Sequence, residues 1–155
     1  MKGSVSRTVC AGLLALLQAC AAAPDQAPVI RYAPVSADQE ALIAEVGARI
    51  FFAHRQTRPS DDAQRTLDKL AAFLEQRPEL RLCLEGHAQD FSAPEADLLI
   101  SQQRAEGVFR YLVQRGIDPA RLVTIGYGRQ RPLARGSDES ARWWNRRVQF
   151  VPDEG

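Results

Sequence analysis

Six arginines fall close together near the end of the chain: Arg129, Arg131, Arg135, Arg142, Arg146 and Arg147. A guanidinium is a planar fork of donors that matches a carboxylate, so cations gathered this way suit an anionic, carboxylate-bearing partner. Charge is divided along the chain. Residues 21–99 carry 8 cations and 13 anions, whereas residues 100–152 carry 10 cations and 4 anions. The competing reading of the run is a solvated surface. Trp143 and Trp144 lie inside it; they offer a stacking platform, or else one plugs the core and the other covers it. Catalytic constellations are missing. His54 and His87 are the only histidines, with no HxxH spacing and no cysteine set around them, which argues against a zinc site. No GxSxG elbow marks a serine nucleophile. Gly126-Tyr127-Gly128 leads into no Gly-Lys-Ser or Gly-Lys-Thr, so it is not a phosphate loop. The formal net charge of +1 gives nucleic-acid binding no electrostatic support.

The elements that must position these side chains follow from periodicity. The length of 155 residues suits one domain. Ser36, with Gln39 three residues on, predicts a capped short helix. Arg49–His54 is β-rich. Ser60-Asp61-Asp62 opens a second helix, whose Leu67, Leu70, Ala71 and Leu74 fall at i, i+3, i+4 and i+7 and which Pro78 ends. Leu80, Leu82 and Leu84 alternate with Arg81, Cys83 and Glu85, as in a strand. Residues 86–93 form a loop. Pro94 suits a first helical turn, and Leu98, Ala105, Val108, Phe109 and Leu112 carry that helix to Arg115, with Gly116 after it. Strands at 121–127 and 147–151 flank a short helix through the tryptophans. Strands alternating with helices predict a sheet covered by helices on one side.

The first residues read differently. Lys2 and Arg7 precede an apolar run from Val9 to Leu17, too short to span a bilayer. The junction Leu16-Leu17-Gln18-Ala19-Cys20 resembles the lipobox of bacterial lipoproteins. Residues 1–19 are therefore expected to be a signal peptide and Cys20 the lipidated residue, with Ala21 after it implying outer-membrane sorting. Cleavage leaves 136 residues, with Cys83 as the one unmodified cysteine, expected as a small buried hydrophobe. Residues 20–38, rich in alanine and proline, are expected to form a tether. Eighteen extended residues reach roughly 60 Å. The folded domain is expected at 39–152.

Four motifs in order carry a resemblance: Gly86-His87 after a strand, Ile100-Ser101-Gln102-Gln103-Arg104-Ala105 on a helix, Gly126-Tyr127-Gly128, and Asn145-Arg146-Arg147-Val148. Over about residues 45–152 the chain resembles the OmpA-like domain, which also occurs in the peptidoglycan-associated lipoprotein. The resemblance implies an α+β fold, a β-α-β-α-β-α-β sandwich with a mixed sheet and helices on one face. It implies non-covalent binding of peptidoglycan at the free diaminopimelate end of the stem peptide, with no catalysis and no cofactor. That end carries an ammonium and a carboxylate, so its pocket needs an anion beside a cation.

By this resemblance Arg104 contacts the ligand carboxylate. The family aspartate fifteen residues earlier is Gln89 here, which offers only a neutral carbonyl; Asp90 is expected to swing in if the loop is rearranged. Ala88 belongs to the same loop. Asp97 stands where the family has asparagine and is a candidate for the lost negative charge, or a surface or cap residue. Arg146 and Asn145 match the second basic contact and a positioning asparagine, and Arg147 a structural pair. Phe51-Phe52-Ala53-His54-Arg55 replaces the alternating Phe and Asp usual in the first strand. Two functions stay open. One is a lipid-anchored protein in the outer membrane, its domain in the periplasm, tethering that membrane to the wall. The other is an interaction or envelope-assembly subunit that kept the fold with a weak or lost peptidoglycan site, its partners being envelope proteins.

Overall fold

The computed structural model describes residues 36–153. The expected signal peptide, Cys20 and the tether up to residue 35 lie outside the described residues. Helix α1 (Ala37–Glu45) opens on Ser36, whose hydroxyl accepts from the Gln39 N–H at 3.2 Å. Strand β1 (Arg49–Phe51) follows, then α2 (Asp61–Glu75), capped by Ser60. Strand β2 (Leu82–Gly86) leads into α3 (Pro94–Gln114); a single 3₁₀ turn, Pro119–Arg121, precedes β3 (Leu122–Gly126). Helix α4 (Glu139–Asn145) and β4 (Arg147–Pro152) complete the fold.

The sheet order is β1-β4-β2-β3, so β1 and β3 are its edges. β4 runs antiparallel to both β1 and β2, and β2 runs parallel to β3. This is the mixed α+β sheet expected. Alternation sends Leu82, Leu84, Leu122, Val148 and Phe150 to one face, where they bury against Leu67, Leu70 and Leu74 of α2 and Val108 and Leu112 of α3. Cys83, Glu85, Val123, Ile125 and Gln149 take the other face. Cys83 is therefore only half-buried, which corrects its expected place in the core. Burial, then Glu85, pushes its thiol up. Phe51, next to core-facing Ile50, meets Trp143 and Trp144 of α4. Both tryptophans stay exposed, so neither plugs the core.

Two expected boundaries shift for local reasons. β1 stops at Phe51 because the Ala53 carbonyl turns to accept from the Gln56 N–H, and Arg55 takes φ 59°. Leu80 sits before β2 in a turn whose carbonyls accept from Arg121, with N–H···O distances of 2.7–3.0 Å. α2 ends at Glu75, ahead of Pro78.

The glycine motifs have a packing cause. Gly86 and Gly126 are register partners at the ends of β2 and β3, and α3 crosses directly over them. A Cβ on Gly86 would lie 2.0 Å from the Ser101 carbonyl oxygen. A Cβ on Gly126 would lie 2.8 Å from the Ser101 hydroxyl. That hydroxyl accepts from the Gly128 N–H at 2.8 Å and donates to the Leu98 carbonyl. The close approach thus fixes the loops that leave both strands. Gly86→Ala must push α3 off the sheet, and overpacking of this kind costs about 1–3 kcal/mol or more. Its urea midpoint is expected to fall with an unchanged m-value; a wild-type midpoint would refute the close-packing account.

Candidate functional site

Helix α3 buries an unusual stripe. Its second half is apolar, with Ala105, Val108 and Leu112, but its first half buries Asp97, Ser101 and Arg104. Arg104 is fully buried. Its Nη1 donates to Asp90 Oδ2 at 2.7 Å and its Nη2 to Asp90 Oδ1 at 3.1 Å, a bidentate pair. The remaining donors reach the carbonyls of Gln56, Ala53 and His87. Burial pulls the guanidinium below its ordinary value, and the bond and charge of Asp90 pull it back. One side chain therefore ties the segment after β1 and the loop after β2 to α3.

Asp90 takes donors from two residues, with an imidazole nearby. Besides Arg104, its Oδ1 accepts from the Arg55 N–H at 2.7 Å, and His54 Nδ1 stands 3.4 Å away. The bond to Arg55 helps hold that residue in the left-handed region, which a non-glycine residue occupies only at a cost. Asp97 shapes the same loop from below. Its Oδ1 accepts from the N–H groups of Asp90 and Phe91 at 2.8 and 2.9 Å, and its Oδ2 pairs with Arg129. Gln89 is bound at both ends: Nε2 donates to the Gly136 carbonyl, and Oε1 accepts from Asn145 Nδ2 at 2.7 Å. Asn145 also accepts from the N–H groups of Leu133 and Ala134.

Above this framework lies an open cleft of about 350 Å³. Gln89, Asp90 and Phe91 form one side, and Arg55, Arg129 and Arg142 bring three cations. Ser92 and Ser137 add hydroxyls. The expected site residues divide accordingly. Gln89 and Asp90 line the cleft, with the Asp90 side chain buried on Arg104 and the Arg55 N–H. Arg104 does not reach a ligand: it stands behind Asp90, so its expected contact with a ligand carboxylate is corrected to a positioning role. Asp97 is fully buried and spent on Arg129 and two N–H groups, so it supplies the cleft with no free negative charge. Ala88 is buried, its N–H on the Gly128 carbonyl. Asn145 is buried, donating to Gln89 and accepting from the Leu133 and Ala134 N–H groups. Arg146 faces a different groove. Among the described residues Arg147 forms no ion pair with a carboxylate, and it donates to the Arg131 carbonyl. Arg129 and Arg142 were signalled by the basic run. Arg55 was missed as a cleft residue because nothing in its neighbours foretells a left-handed backbone.

The model of the OmpA family matches residues 51–146. The chain belongs to the OmpA family. Among curated members it is 38% identical over 113 residues to the peptidoglycan-associated lipoprotein of Rhizobium meliloti (strain 1021), covering 73% of this chain and 64% of that one. It is 36% identical over 100 residues to the protein of the same name from Pseudomonas aeruginosa, covering 64% and 59%. The chain thus spans just under two thirds of the length of these relatives. The crystal structure of the peptidoglycan-associated lipoprotein from Burkholderia pseudomallei matches with a TM-score of 0.66 at 27% identity, over 68% of this chain and 90% of that one.

His87 sits in the OmpA family loop with both ring nitrogens buried, its ring stacked on Tyr127 at 5.5 Å. Burial, then the charges of Arg147, Arg131 and Arg49, lower its pKa from 6.5 to about 3. The unfolded chain therefore binds a proton here that the folded chain refuses. Stability from this group is complete above pH 6.5 and is lost as pH falls towards about 3. His87→Gln is expected to flatten the dependence of the urea midpoint on pH in that window; an unaltered slope would count against it. Asp90→Asn leaves the Arg104 charge buried without its counter-ion, which costs about 3–5 kcal/mol. Asp90→Leu combined with Arg104→Met is expected to recover part of that loss in a double-mutant cycle. Strictly additive losses would show that the two do not act as a pair.

Proposed function

We propose that this protein is an outer-membrane lipoprotein, anchored through Cys20, whose domain holds peptidoglycan non-covalently. The ligand group is the free diaminopimelate end of the stem peptide. The observation that carries the reading is the cleft over the Arg104–Asp90 pair. The Asp90 carboxylate is buried beneath the cleft and guanidinium groups are set on its rim, so a negative charge lies under positive ones. Arg129 is already balanced by Asp97. Arg55 and Arg142 remain to receive the ligand carboxylate in charge-assisted bonds. The ligand ammonium lies over the buried Asp90 carboxylate, whose oxygens stay on Arg104 and the Arg55 N–H, so the two charges attract without direct contact. No enzyme chemistry is required of the site, and its role is to grip. Membership of the OmpA family and likeness to peptidoglycan-associated lipoproteins support an envelope location.

One observation favours the second reading, an assembly subunit with a weak wall site. Gln89 is tied at both ends to Asn145 and Gly136, so no uncommitted acceptor replaces the family aspartate.

Co-sedimentation of the soluble domain (residues 21–155) with purified sacculi separates the two. The wall-binding reading expects pelleting that free diaminopimelate suppresses. Arg55→Gly keeps the backbone shape at φ 59° and removes one rim charge. Arg142→Gln removes another. Each is expected to weaken pelleting several-fold without lowering the urea midpoint. Gln89→Asp puts a carboxylate at the cleft and still offers Asn145 an acceptor, so pelleting should strengthen. Absence of pelleting for all forms at moderate salt would leave the assembly reading in its place.

A further inference from the structure

A second groove, of about 570 Å³, runs beside β1 rather than over the loop after β2. Its walls are β1 and the residues after it, the start of α2, and α4. β1 is an edge strand, and among the described residues only β4 pairs with it. The Phe150 N–H donates to the Ala48 carbonyl at 2.9 Å, and the Phe52 N–H donates to the Arg146 carbonyl at 2.8 Å. In an antiparallel ladder this alternation commits residues 48, 50 and 52 to β4 and turns the main-chain N–H and C=O groups of Arg49 and Phe51 outward, to the edge. Such an edge is a template for another strand.

The side chains around it are specific. Phe51 stacks on Trp143 at 4.3 Å, and Trp144 meets both edge-on. Arg146 lines the groove and is only 3% exposed. Its Nη2 donates to Glu139, whose side chain is 71% exposed, while Nε and Nη1 are buried with no partner. A buried guanidinium is thus half-satisfied and covered by a carboxylate that is free to swing away. Arg49 adds a cation along the same wall. The other acid there, Asp62, is held by Arg65.

We propose that this groove receives an extended peptide segment of a protein partner, which adds to the sheet at the outer edge of β1. An apolar side chain of the segment rests on Phe51 and Trp143, and a carboxylate of the segment replaces Glu139 on Arg146. Main-chain bonds supply affinity in such strand addition, and the side-chain pockets supply selectivity. A saccharide stacked on the tryptophans has no need of the outward N–H of Arg49 or Phe51, and a neutral one has no need of Arg146. The site is separate from the cleft above Asp90, and its test does not depend on wall binding.

The probe is an acetylated L-hexapeptide of alternating threonine and valine that ends in phenylalanine with a free carboxylate. Trp143 and Trp144 are the only tryptophans of the chain, so their fluorescence reads occupancy directly. The full chain is expected to show a saturable shift. The C-terminal amide of the same peptide is expected to bind about tenfold more weakly. Arg49→Pro removes the outward N–H and leaves the ladder to β4 intact; it is expected to bind about tenfold more weakly than Arg49→Ala, which removes only the charge. Glu139→Gln removes the counter-ion of Arg146 and is expected to lower the urea midpoint of the free chain while tightening peptide binding several-fold, because the peptide carboxylate then meets an unpaired charge. Pelleting with sacculi is expected to be unchanged in Arg49→Pro. The proposal fails if no saturable shift occurs, if Arg49→Pro and Arg49→Ala bind alike, or if Glu139→Gln weakens binding. It also fails if the fluorescence shifts with protein concentration alone, which would mean that a second copy of the chain occupies the edge.

Discussion

The bidentate pair between Arg104 and Asp90 organises everything around the cleft. Burying a guanidinium is costly unless every donor finds an acceptor, and here a carboxylate and three main-chain carbonyls meet it. Those acceptors come from the segment after β1 and the loop after β2. Satisfying one helix side chain therefore fixes two loops that have no regular structure of their own. The close approach of α3 to Gly86 and Gly126 sets the depth at which this happens.

The polar half of α3 and its apolar half do different work. Leu112 and Val108 hold the helix to the sheet through burial. Asp97, Ser101 and Arg104 then hold loops to the helix through hydrogen bonds. The result is a surface whose charged rim is carried largely by loops tied to α3, so less of it must be ordered when a ligand arrives. On the other side of β1, α4 does the reverse: it keeps Trp143 and Trp144 exposed and leaves Arg146 half-satisfied.

Much of this was legible in the sequence, because two periods dominate it. The i, i+3, i+4, i+7 spacing of α2 and the alternation of Leu82 and Leu84 identify their elements directly. The motif residues were legible as a set, but their roles were not. Residue identity points to Arg104; it does not say that Asp90 would stand between that guanidinium and solvent. That depends on the course of the loop after β2, which is set by two main-chain bonds to Asp97. The partial burial of Cys83 likewise follows from which face of the sheet it occupies, and the exposure of Trp143 from its place on α4 over Phe51. Arg55 belongs to the site only through a φ of 59°, a property of backbone that composition does not carry.

Ser36, where the described chain begins, borders residues 77–81 and 152–153, beside the start of β2 and the end of β4. The cleft lies past the other end of those strands, where β2 runs out and β4 starts. A tension applied between Ser36 and an object gripped in the cleft would pull lengthwise along the strands. Their ladder bonds would then be strained together in shear, rather than peeled apart one at a time, and shear is the direction in which a sheet resists rupture best.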